Sequence, residues 1–509
     1  MKLNFSLRPR QTDERYALVR TWVVDKQWEL YAALLSASLY ESFYDQPAEQ
    51  LAELRKLVRD NDPVFVARLA VHLRERLHLR TLSFILAAEL CRVCKDKELT
   101  GRLTGRVIQH AGEIPRWLDS YAQAAGGNRP GKTLRITSAL RKHLAIHFNR
   151  LDTYRYVRFT KVQQARLRYA LSLIQPRAAG KAQQALFRRI LQDKLPARNA
   201  WLSEYETLRL QNYDSHELRQ SALREKWKEG ISTFRMGYTA LLENLPNILA
   251  AGVSGKVLKL AAEYLGNAAA VTGSRQSPLR FVEAYRKLQQ SHQGGAVTLQ
   301  EALELAVRHS SGNLAGLEQN ESTVIAMDIS PSMRYPVREG GLVQRFDIAP
   351  LLAMLLKSKG GKVTTGIIGN TWKPAELPSY LILQELDRLH KREGEAGYAI
   401  NAHLVIQDLL RKGETVDKVM IFTDCQLWNH RSFNQPAEAD LGRLWRQYRQ
   451  LAPKARLYLF DLAGYGKKPL ECLEDGVFLV AGWNEQVFGV LKALDGGTAR
   501  IETIEDIIV

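Results

Sequence analysis

The chain has 509 residues, enough for about three domains at roughly 150 residues each. Hydrophobic residues make up 45% and charged residues 25%, which excludes collagenous and wholly disordered chains. No stretch approaches the ~18 apolar residues of a membrane-spanning helix, and the first ten residues carry charges before an apolar region could form, so we expect neither a membrane span nor a signal peptide. Four cysteines fit a reducing compartment, so we expect a cytoplasmic protein.

The net charge of +18 is unevenly distributed along the chain. Residues 1–320 contain 49 Lys and Arg against 30 Asp and Glu, whereas the remaining residues contain 23 against 24. Residues 121–190, which we call the basic window, hold 15 basic residues and one acidic residue, Asp152. Because neutralising phosphates releases counterions, such a window indicates a polyanionic partner, and we interpret that partner as nucleic acid.

The basic window supplies the candidate RNA contacts. They are Lys132, Arg135, Arg141, Lys142, His143, His147, Arg155, Arg158, Lys161, Arg166 and Arg168. Aromatic residues such as Tyr156, Phe159 and Tyr169 lie among them, and rings among cations suit unstacked bases of single-stranded RNA better than a DNA duplex. The alternatives are solvated helix faces or an acidic protein partner.

From Thr12 to about Arg308 the apolar residues recur at helical spacing. Predicted helices cover Tyr31–Tyr44, Pro47–Arg59, Val64–Leu77, Leu82–Cys94, Leu99–His110, Arg135–Asn149, Gln163–Ile174, Ala182–Gln192, Thr239–Ala250, Lys256–Leu265 and Pro278–Gln289. Short connections between so many helices predict an all-α, HEAT-like solenoid of helix pairs, with a compact helical bundle as the alternative. Cys91 and Cys94 fall within one of these helices, and we interpret them as packing residues rather than zinc ligands.

The pattern changes near Gly312–Ser322, so we predict a helical domain over 1–318 and a second domain over 319–509. Predicted strands cover Thr323–Met327, Lys362–Ile368, Lys418–Phe422, Arg456–Phe460 and Gly476–Val480. Predicted helices cover Ile348–Lys357, Ser379–His390, Ala402–Lys412, Leu441–Gln450 and Glu485–Leu494. Alternating strands and helices predict an α/β doubly wound domain, in which ligands bind at the carboxyl ends of the strands.

Two polar segments follow predicted strands of this second domain. Asp328, Ser330 and Ser332 form an Asp-x-Ser-x-Ser motif after the first strand, and Asp424 follows the third. Carboxylate and hydroxyl oxygens are the ligands that Mg²⁺ or Mn²⁺ prefers. We therefore predict a divalent cation at this edge, in a site that resembles the metal-ion-dependent adhesion site of von Willebrand factor A domains.

Several strings resemble the Ro autoantigen family, whose helical part is called the TROVE domain. The segment Met236–Leu245 (MGYTALLENL) is similar to the family's M-P-L-T-A-L-L-R-N-L, and Arg275–Pro278 (RQSP) is similar to its R-I-H-P. The segments Ala326–Met333 and Phe422–Asp424 are similar to its A-V-D-V-S-A-S-M and F-T-D.

The resemblance implies a ring of helical repeats closed by a von Willebrand A domain. We expect a monomer with no enzymatic activity and no membrane association. It implies binding of small noncoding Y-type RNA and of single-stranded ends of misfolded or damaged RNA, as a scaffold in RNA quality control beside an exoribonuclease such as polynucleotide phosphorylase. By comparison with the family's basic segments, Arg141 and Lys142 match a basic pair, and Arg155, Arg158 and Lys161 match a second group.

The sequence departs from the family at two positions. Leu173 stands where the family has a histidine associated with RNA contact, so His143 or His147 takes that role or Y-RNA recognition differs. Residues 397–401 (GYAIN) lack the threonine of the family's metal site, and Asn401 is the alternative oxygen donor. The second functional hypothesis is a metal-dependent protein-interaction adaptor whose basic half binds an acidic protein; a nuclease ranks last, because the basic window has only Asp152 as a carboxylate.

Overall fold

The computed structural model describes residues 2–3, 26–27, 30–31, 34, 48–76, 79–125, 134–157, 159, 161–195, 200–291, 293–313, 321–337, 340–424, 437–463, 476–481 and 504–508. The chain divides into two compact units. The first unit, called the amino-terminal helical unit below, comprises Asp13–Tyr213 with Ala493–Val509, and the second, the carboxyl-terminal unit, comprises Met1–Thr12 with Asp214–Lys492. In the described residues, no helix is both long and apolar enough to span a membrane.

The described part of the amino-terminal helical unit is built from helices with short connections. Their bounds are α1 (Ala48–Asp60), α2 (Pro63–Glu75), α3 (Arg80–Val93), α4 (Lys97–Val107), α5 (Ile114–Ala124), α6 (Ser138–Asn149), α7 (Thr153–Val157), α8 (Lys161–Ile174), α9 (Lys181–Leu191) and α10 (Ala200–Leu210). Asp62 and Asp96 start α2 and α4, since each carboxylate accepts first-turn backbone N–H groups. The predicted helix at 135–149 begins three residues late, where the Thr137 hydroxyl accepts from Leu140 N.

Helices α4 and α6 pack closely because α4 carries two glycines at their contact. A Cβ on Gly101 would lie 2.8 Å from the His143 ring, and one on Gly105 would lie 3.2 Å from it. Leu140, Leu144 and Phe148 are buried on the inner face of α6. The close contact fixes which face of α6 remains exposed to solvent.

The carboxyl-terminal unit begins with further helices. Their bounds are α11 (His216–Ser232), α12 (Tyr238–Glu243), α13 (Leu245–Ala250), α14 (Gly255–Gly266), α15 (Ala268–Ser274), α16 (Pro278–Gln289) and α17 (Ala296–His309). The prediction of one helix over 239–250 is wrong: it is divided into α12 and α13 at Asn244. Pro246 explains the break, because proline has no N–H to donate within a helix and its ring clashes with the carbonyl four residues earlier.

The same unit contains a seven-stranded sheet among its described residues. Its elements are β1 (Lys2–Leu3), β2 (Thr323–Asp328), α18 (Ile348–Ser358), β3 (Val363–Ile368), β4 (Trp372–Pro374), α19 (Ile382–His390), α20 (His403–Lys412), β5 (Lys418–Thr423), α21 (Ala437–Leu451), β6 (Arg456–Asp461) and β7 (Val477–Ala481). The strand order is β1-β7-β6-β5-β2-β3-β4. The five central strands are parallel, and β1 and β4 join the edges antiparallel.

The parallel strands are buried on both faces, as their continuous apolar sequences predict. On one face, Val324, Ile421 and Leu459 pack with Trp445 and Tyr448 of α21. The intervening strand residues are also buried. The predicted fold class, helical repeats followed by a doubly wound α/β domain, is confirmed.

All five predicted strands are present, whereas the edge strands β1 and β4 were not predicted. The predicted helix at 485–494 lies outside the described residues, as does most of that at 31–44. The change from helices to strands falls between Asn313 and Thr323, as expected. Because the carboxyl-terminal unit contains helices α11–α17 as well as the sheet, the division at 318/319 is a change of secondary structure within one compact unit, and its status as a domain boundary stays a prediction.

Candidate functional site

The basic window falls on α6 to α9 of the amino-terminal helical unit. Helix α6 exposes Arg141, Lys142 and, just beyond its end, Arg150, and it buries the opposite apolar face. Helix α8 exposes Lys161 and Arg166 in the same way. Arg135 and Arg155 are exposed as well. The helical spacing of the sequence therefore separates the cations from the core on each helix.

Four of the predicted cations form ion pairs with carboxylates. The pairs are Lys142–Glu98 at 3.2 Å, Arg155–Asp152 at 3.6 Å, Arg166–Asp119 at 3.7 Å and Arg168–Asp193 at 2.5 Å. The hydrogen bond from Arg168 lowers the pKa of Asp193. Their positive charge is partly neutralised before any ligand arrives.

Other cations form no ion pair with a described carboxylate, so their positive charge is less neutralised within the protein. Of the predicted residues, Arg135, Arg141 and Lys161 belong to this group. Five more that were not among the predicted contacts share it: Arg150, Arg177, Lys181, Arg188 and Arg189. All eight are exposed. These five residues could have been predicted from the charge pattern, because all of them lie in the basic window.

Helix α9 packs against the C-terminal end of α6, so the exposed cations of the two helices lie on neighbouring elements. The Gln183 side chain donates to the carbonyls of Phe148 at 2.9 Å and Leu151 at 3.0 Å. The rings of Phe148 and Phe187 meet edge to face with centroids 6.3 Å apart. The exposed cations of α6 and α9 are thus carried by one packed pair of helices.

The two predicted histidines lie behind these cations. His147 is buried, and its Nε2 lies 2.8 Å from the Gly105 carbonyl oxygen, to which it donates. Burial lowers the pKa of His147, which favours the neutral ring. His143 is half-buried, with its Nε2 3.2 Å from the Glu98 carboxylate. The structure thus corrects the prediction for His147: it belongs to the helix packing and is not available to a ligand.

Lys132 and Arg158 lie outside the described residues. Tyr169 lies on the exposed face of α8, with 58% of its area accessible, three residues from Arg166. Tyr156 is buried and takes no part in the surface. Among the described aromatic side chains of the basic window, Tyr169 is therefore the most exposed and is placed to meet a base.

A second candidate site lies at the carboxyl edge of the sheet in the carboxyl-terminal unit. Strands β2 and β5 are parallel neighbours, so Asp328 and Thr423 lie side by side where the strands end. The Thr423 hydroxyl donates to Asp328 Oδ2 at 2.8 Å, and Ser330 N donates to Asp328 Oδ1 at 2.8 Å. Asp424, also buried, follows Thr423 directly. The predicted convergence of both carboxylates is present, and Thr423 is a further member that sequence reasoning missed.

The serine hydroxyls complete this edge. Ser330 Oγ and Ser332 Oγ lie 3.0 Å apart, on a 3₁₀ turn that starts at Pro331. Burial and the neighbouring Asp424 raise the pKa of Asp328 to about 6, against the hydrogen bonds that favour its ionised form. A divalent cation would relieve this charge, and carboxylate with hydroxyl oxygens suits Mg²⁺ or Mn²⁺.

The donor set fits a cation that keeps several water ligands. In the described ranges, no group of three or more His, Cys, Asp or Glu side chains could hold a metal ion, so binding at this edge depends on the serines and water. Cys91 is buried and has a pKa raised to about 12, which keeps it a thiol.

The loop at 397–401, which lacks the threonine expected from the family resemblance, is hydrogen-bonded beside this edge. Asn401 is buried, its N–H donates to Gly369 O at 3.1 Å, and its side-chain amide donates to Asn370 O at 3.3 Å. Asn370 Oδ1 in turn accepts from Ala399 N at 2.9 Å. A Cβ at Gly369 would lie 2.4 Å from Ala396 O, so only glycine permits this approach. Asn401 thus lies in the loop that precedes α20, hydrogen-bonded to the residues that follow β3, the strand next to β2.

Comparison with known proteins gives two results. Residues 208–310 match the TROVE domain. Among solved structures, the chain is similar to the crystal structure of the Ro (RSR) protein of Deinococcus radiodurans, with 15% sequence identity and a TM-score of 0.64 over 92% of this chain and 99% of that chain. Curated proteins give no match. The likeness in structure, at this identity, shows a shared fold.

Proposed function

We propose that this chain belongs to the Ro autoantigen family, that it binds RNA, and that it catalyses no reaction itself. The match of residues 208–310, called the TROVE segment below, and the shared fold support the family. The observation that carries the proposal is the set of exposed cations on α6 and α9 that form no ion pair with a carboxylate in the described part of the chain. Phosphates would supply the missing negative charge, and each contact would release counterions. Arginine predominates in this set, and its planar fork suits phosphate oxygens.

The proposed ligands are small noncoding RNA of the Y type and single-stranded ends of misfolded or damaged RNA. Tyr169 supports the single-stranded component, because a base that is not paired can stack on an exposed ring beside a cation such as Arg166. The protein would then act as a cytoplasmic scaffold that presents RNA to an exoribonuclease such as polynucleotide phosphorylase.

Crosslinking tests both parts of the proposal. RNA crosslinked to the full-length protein in cells is sequenced, and the crosslinked peptides are identified by mass spectrometry. We expect crosslinks within residues 135–189, Tyr169 among them, and reads from structured small RNAs and RNA 3′ ends. Crosslinks confined to peptides outside 121–190 would refute the proposed interface, and an absence of RNA would refute the function.

We also propose that the carboxyl edge of the sheet holds Mg²⁺ or Mn²⁺ through Asp328, Ser330, Ser332 and Asp424. When bound, the cation would supply an open coordination position for an acidic group of a protein partner. The chain's own residues bind the cation and orient it: Thr423 fixes one oxygen of Asp328, and the turn at Ser330 sets the two hydroxyls side by side.

A further inference from the structure

A buried ion pair joins the TROVE segment to the chain segment that follows the turn bearing Ser330 and Ser332. Arg286 on α16 donates to both oxygens of Asp347, with two N–O distances of 2.5 Å, and to the carbonyl oxygen of Leu342 at 2.6 Å. Asp347 is fully buried, and His390 Nε2 lies 3.1 Å from the same carboxylate. A bidentate pair of this kind fixes orientation as well as distance.

Arg286 donates to residues 342 and 347, and the segment that contains them is hydrogen-bonded to the end of the turn that carries Ser330 and Ser332, called the serine turn below. Arg345 N donates to Tyr335 O at 3.0 Å, and Val337 N donates to Val343 O at 2.8 Å. Gln344 N closes the segment by donating to Asp347 at 2.7 Å. Tyr335 follows directly on the 3₁₀ turn that carries the serines, so a short ladder connects the serine turn to Arg286.

A second connection passes through α19. Leu381, which precedes this helix, has a left-handed backbone and gives no side-chain cap. The carboxylate of Glu304, on α17, caps the helix instead: it accepts from Leu383 N at 3.2 Å and from Gln384 N at 2.9 Å. Helix termini leave such N–H groups unsatisfied unless a partner is supplied. The TROVE segment thus provides the cap for a helix of the α/β domain.

The residues that follow the C-terminus of α19 contact the same serine turn. Glu393, three residues beyond the helix, pairs with Arg334, which is two residues after Ser332. The loop then continues to Asn401 at the carboxyl edge of the sheet. Arg286 and Glu304 therefore reach the serine turn by two separate routes through described contacts.

We propose that Arg286 and Glu304 are positioning residues of the candidate metal site, so that the helices of the TROVE segment hold the turn bearing Ser330 and Ser332 in place. The metal site is then a property of the whole carboxyl-terminal unit and not of the α/β fold alone. Neither residue touches the site, and both act through the ladder at 335–345 and through α19.

The test uses the full-length chain with Arg286→Gln, Arg286→Lys and Glu304→Gln. The matched control is Arg280→Gln on the same helix, because Arg280 is exposed and approaches its carboxylates only at 3.9 and 4.0 Å. Hydrogen exchange is measured at the amides of Met333, Val337 and Arg345, without added metal. Titration with Mg²⁺ alone is measured by calorimetry.

We expect exchange at these amides to be about tenfold faster in Arg286→Gln, with the rest of the sheet unchanged, and partial recovery in Arg286→Lys. Mg²⁺ affinity should weaken about tenfold, as is typical when a residue that orients metal ligands is removed. Glu304→Gln keeps the acceptor oxygen and removes the charge, so it should show a smaller effect in the same direction while remaining folded.

The proposal rests on the proposed metal site only for the second measurement. A wild-type chain that binds no Mg²⁺ would refute the metal site, and the exchange comparison would still decide the positioning role. Exchange at the three amides that is equal in folded Arg286→Gln, Glu304→Gln and Arg280→Gln would overturn it, as would wild-type Mg²⁺ affinity in the first two variants.

Discussion

Removing the unpaired cations of the basic window should change the salt dependence of RNA binding by an amount that can be calculated. We consider the replacement of Arg141, Arg150, Arg188 and Arg189 by glutamine. All four are exposed and lack a carboxylate partner among the described residues, so their loss creates no unpaired acid. Glutamine retains polarity and helix propensity, so little change in stability is expected.

Each phosphate contact to a single strand contributes about 0.7 to the slope of log Kobs against log salt. If each of the four cations meets one phosphate, the slope should become shallower by about 2.8. If the variant and the wild-type chain bind RNA equally at about 1 M salt, the shallower slope makes the variant roughly two hundredfold weaker at about 0.15 M salt. The slope and the affinity at low salt depend on the same phosphate contacts, so they must change together.

The assay is fluorescence anisotropy with a labelled single-stranded RNA at several salt concentrations. The matched control replaces Lys256, Lys259, Arg443 and Lys454, four exposed cations of the carboxyl-terminal unit that form no ion pair with a described residue. It lowers the net charge equally and should change the slope by much less. Equal slopes for the two variants would show that net charge alone determines binding, which would refute the proposed interface.

Three further predictions concern the folded chain. Because burial lowers the pKa of His147 below its ordinary 6.5, the unfolded chain binds more protons at this residue than the folded chain does. The free energy of unfolding should therefore fall as the pH drops below about 6.5. In urea titrations, His147→Gln should flatten this pH dependence, and an unchanged profile would contradict the prediction. Tyr448→Phe leaves the buried Val416 N–H without the hydroxyl it donates to at 2.8 Å and should cost about 1–3 kcal/mol by chemical denaturation, against no loss if water replaces the hydroxyl. Mg²⁺ should raise the melting temperature of the wild-type chain, EDTA should reverse this, and Ser330→Ala should abolish the shift; a shift retained in Ser330→Ala would exclude the serine as a ligand.

The central strands were predictable because burial on both faces leaves a continuous apolar run, as in Thr323–Asp328 and Lys418–Thr423. The edge strand Trp372–Pro374 was not predictable, since it is short and contains a polar residue and a proline. The break at Pro246 could have been inferred from the sequence, because proline inside a helical pattern ends or kinks the helix.

The candidate sites were only partly predictable. Convergence of Asp328 and Asp424 follows from strand order, which the alternating pattern of strands and helices indicates. The burial of His147 had a signal as well, since it shares a helix face with Leu140 and Leu144. The pairing of Lys142 with Glu98 had none, because the two residues are 44 positions apart and meet only through the packing of α4 on α6.

The pairing of Lys2 with Ala481 and of Leu3 with Val480 has a consequence for biosynthesis. Lys2 and Leu3 are translated before the rest of the sheet, whereas their partners on β7 are translated after β2 to β6. This edge of the sheet can therefore form only after β7 has been translated, so β1 remains unpaired while the intervening strands and helices are made. A partner or chaperone that covers the unpaired strand during translation would protect the chain from edge-to-edge association.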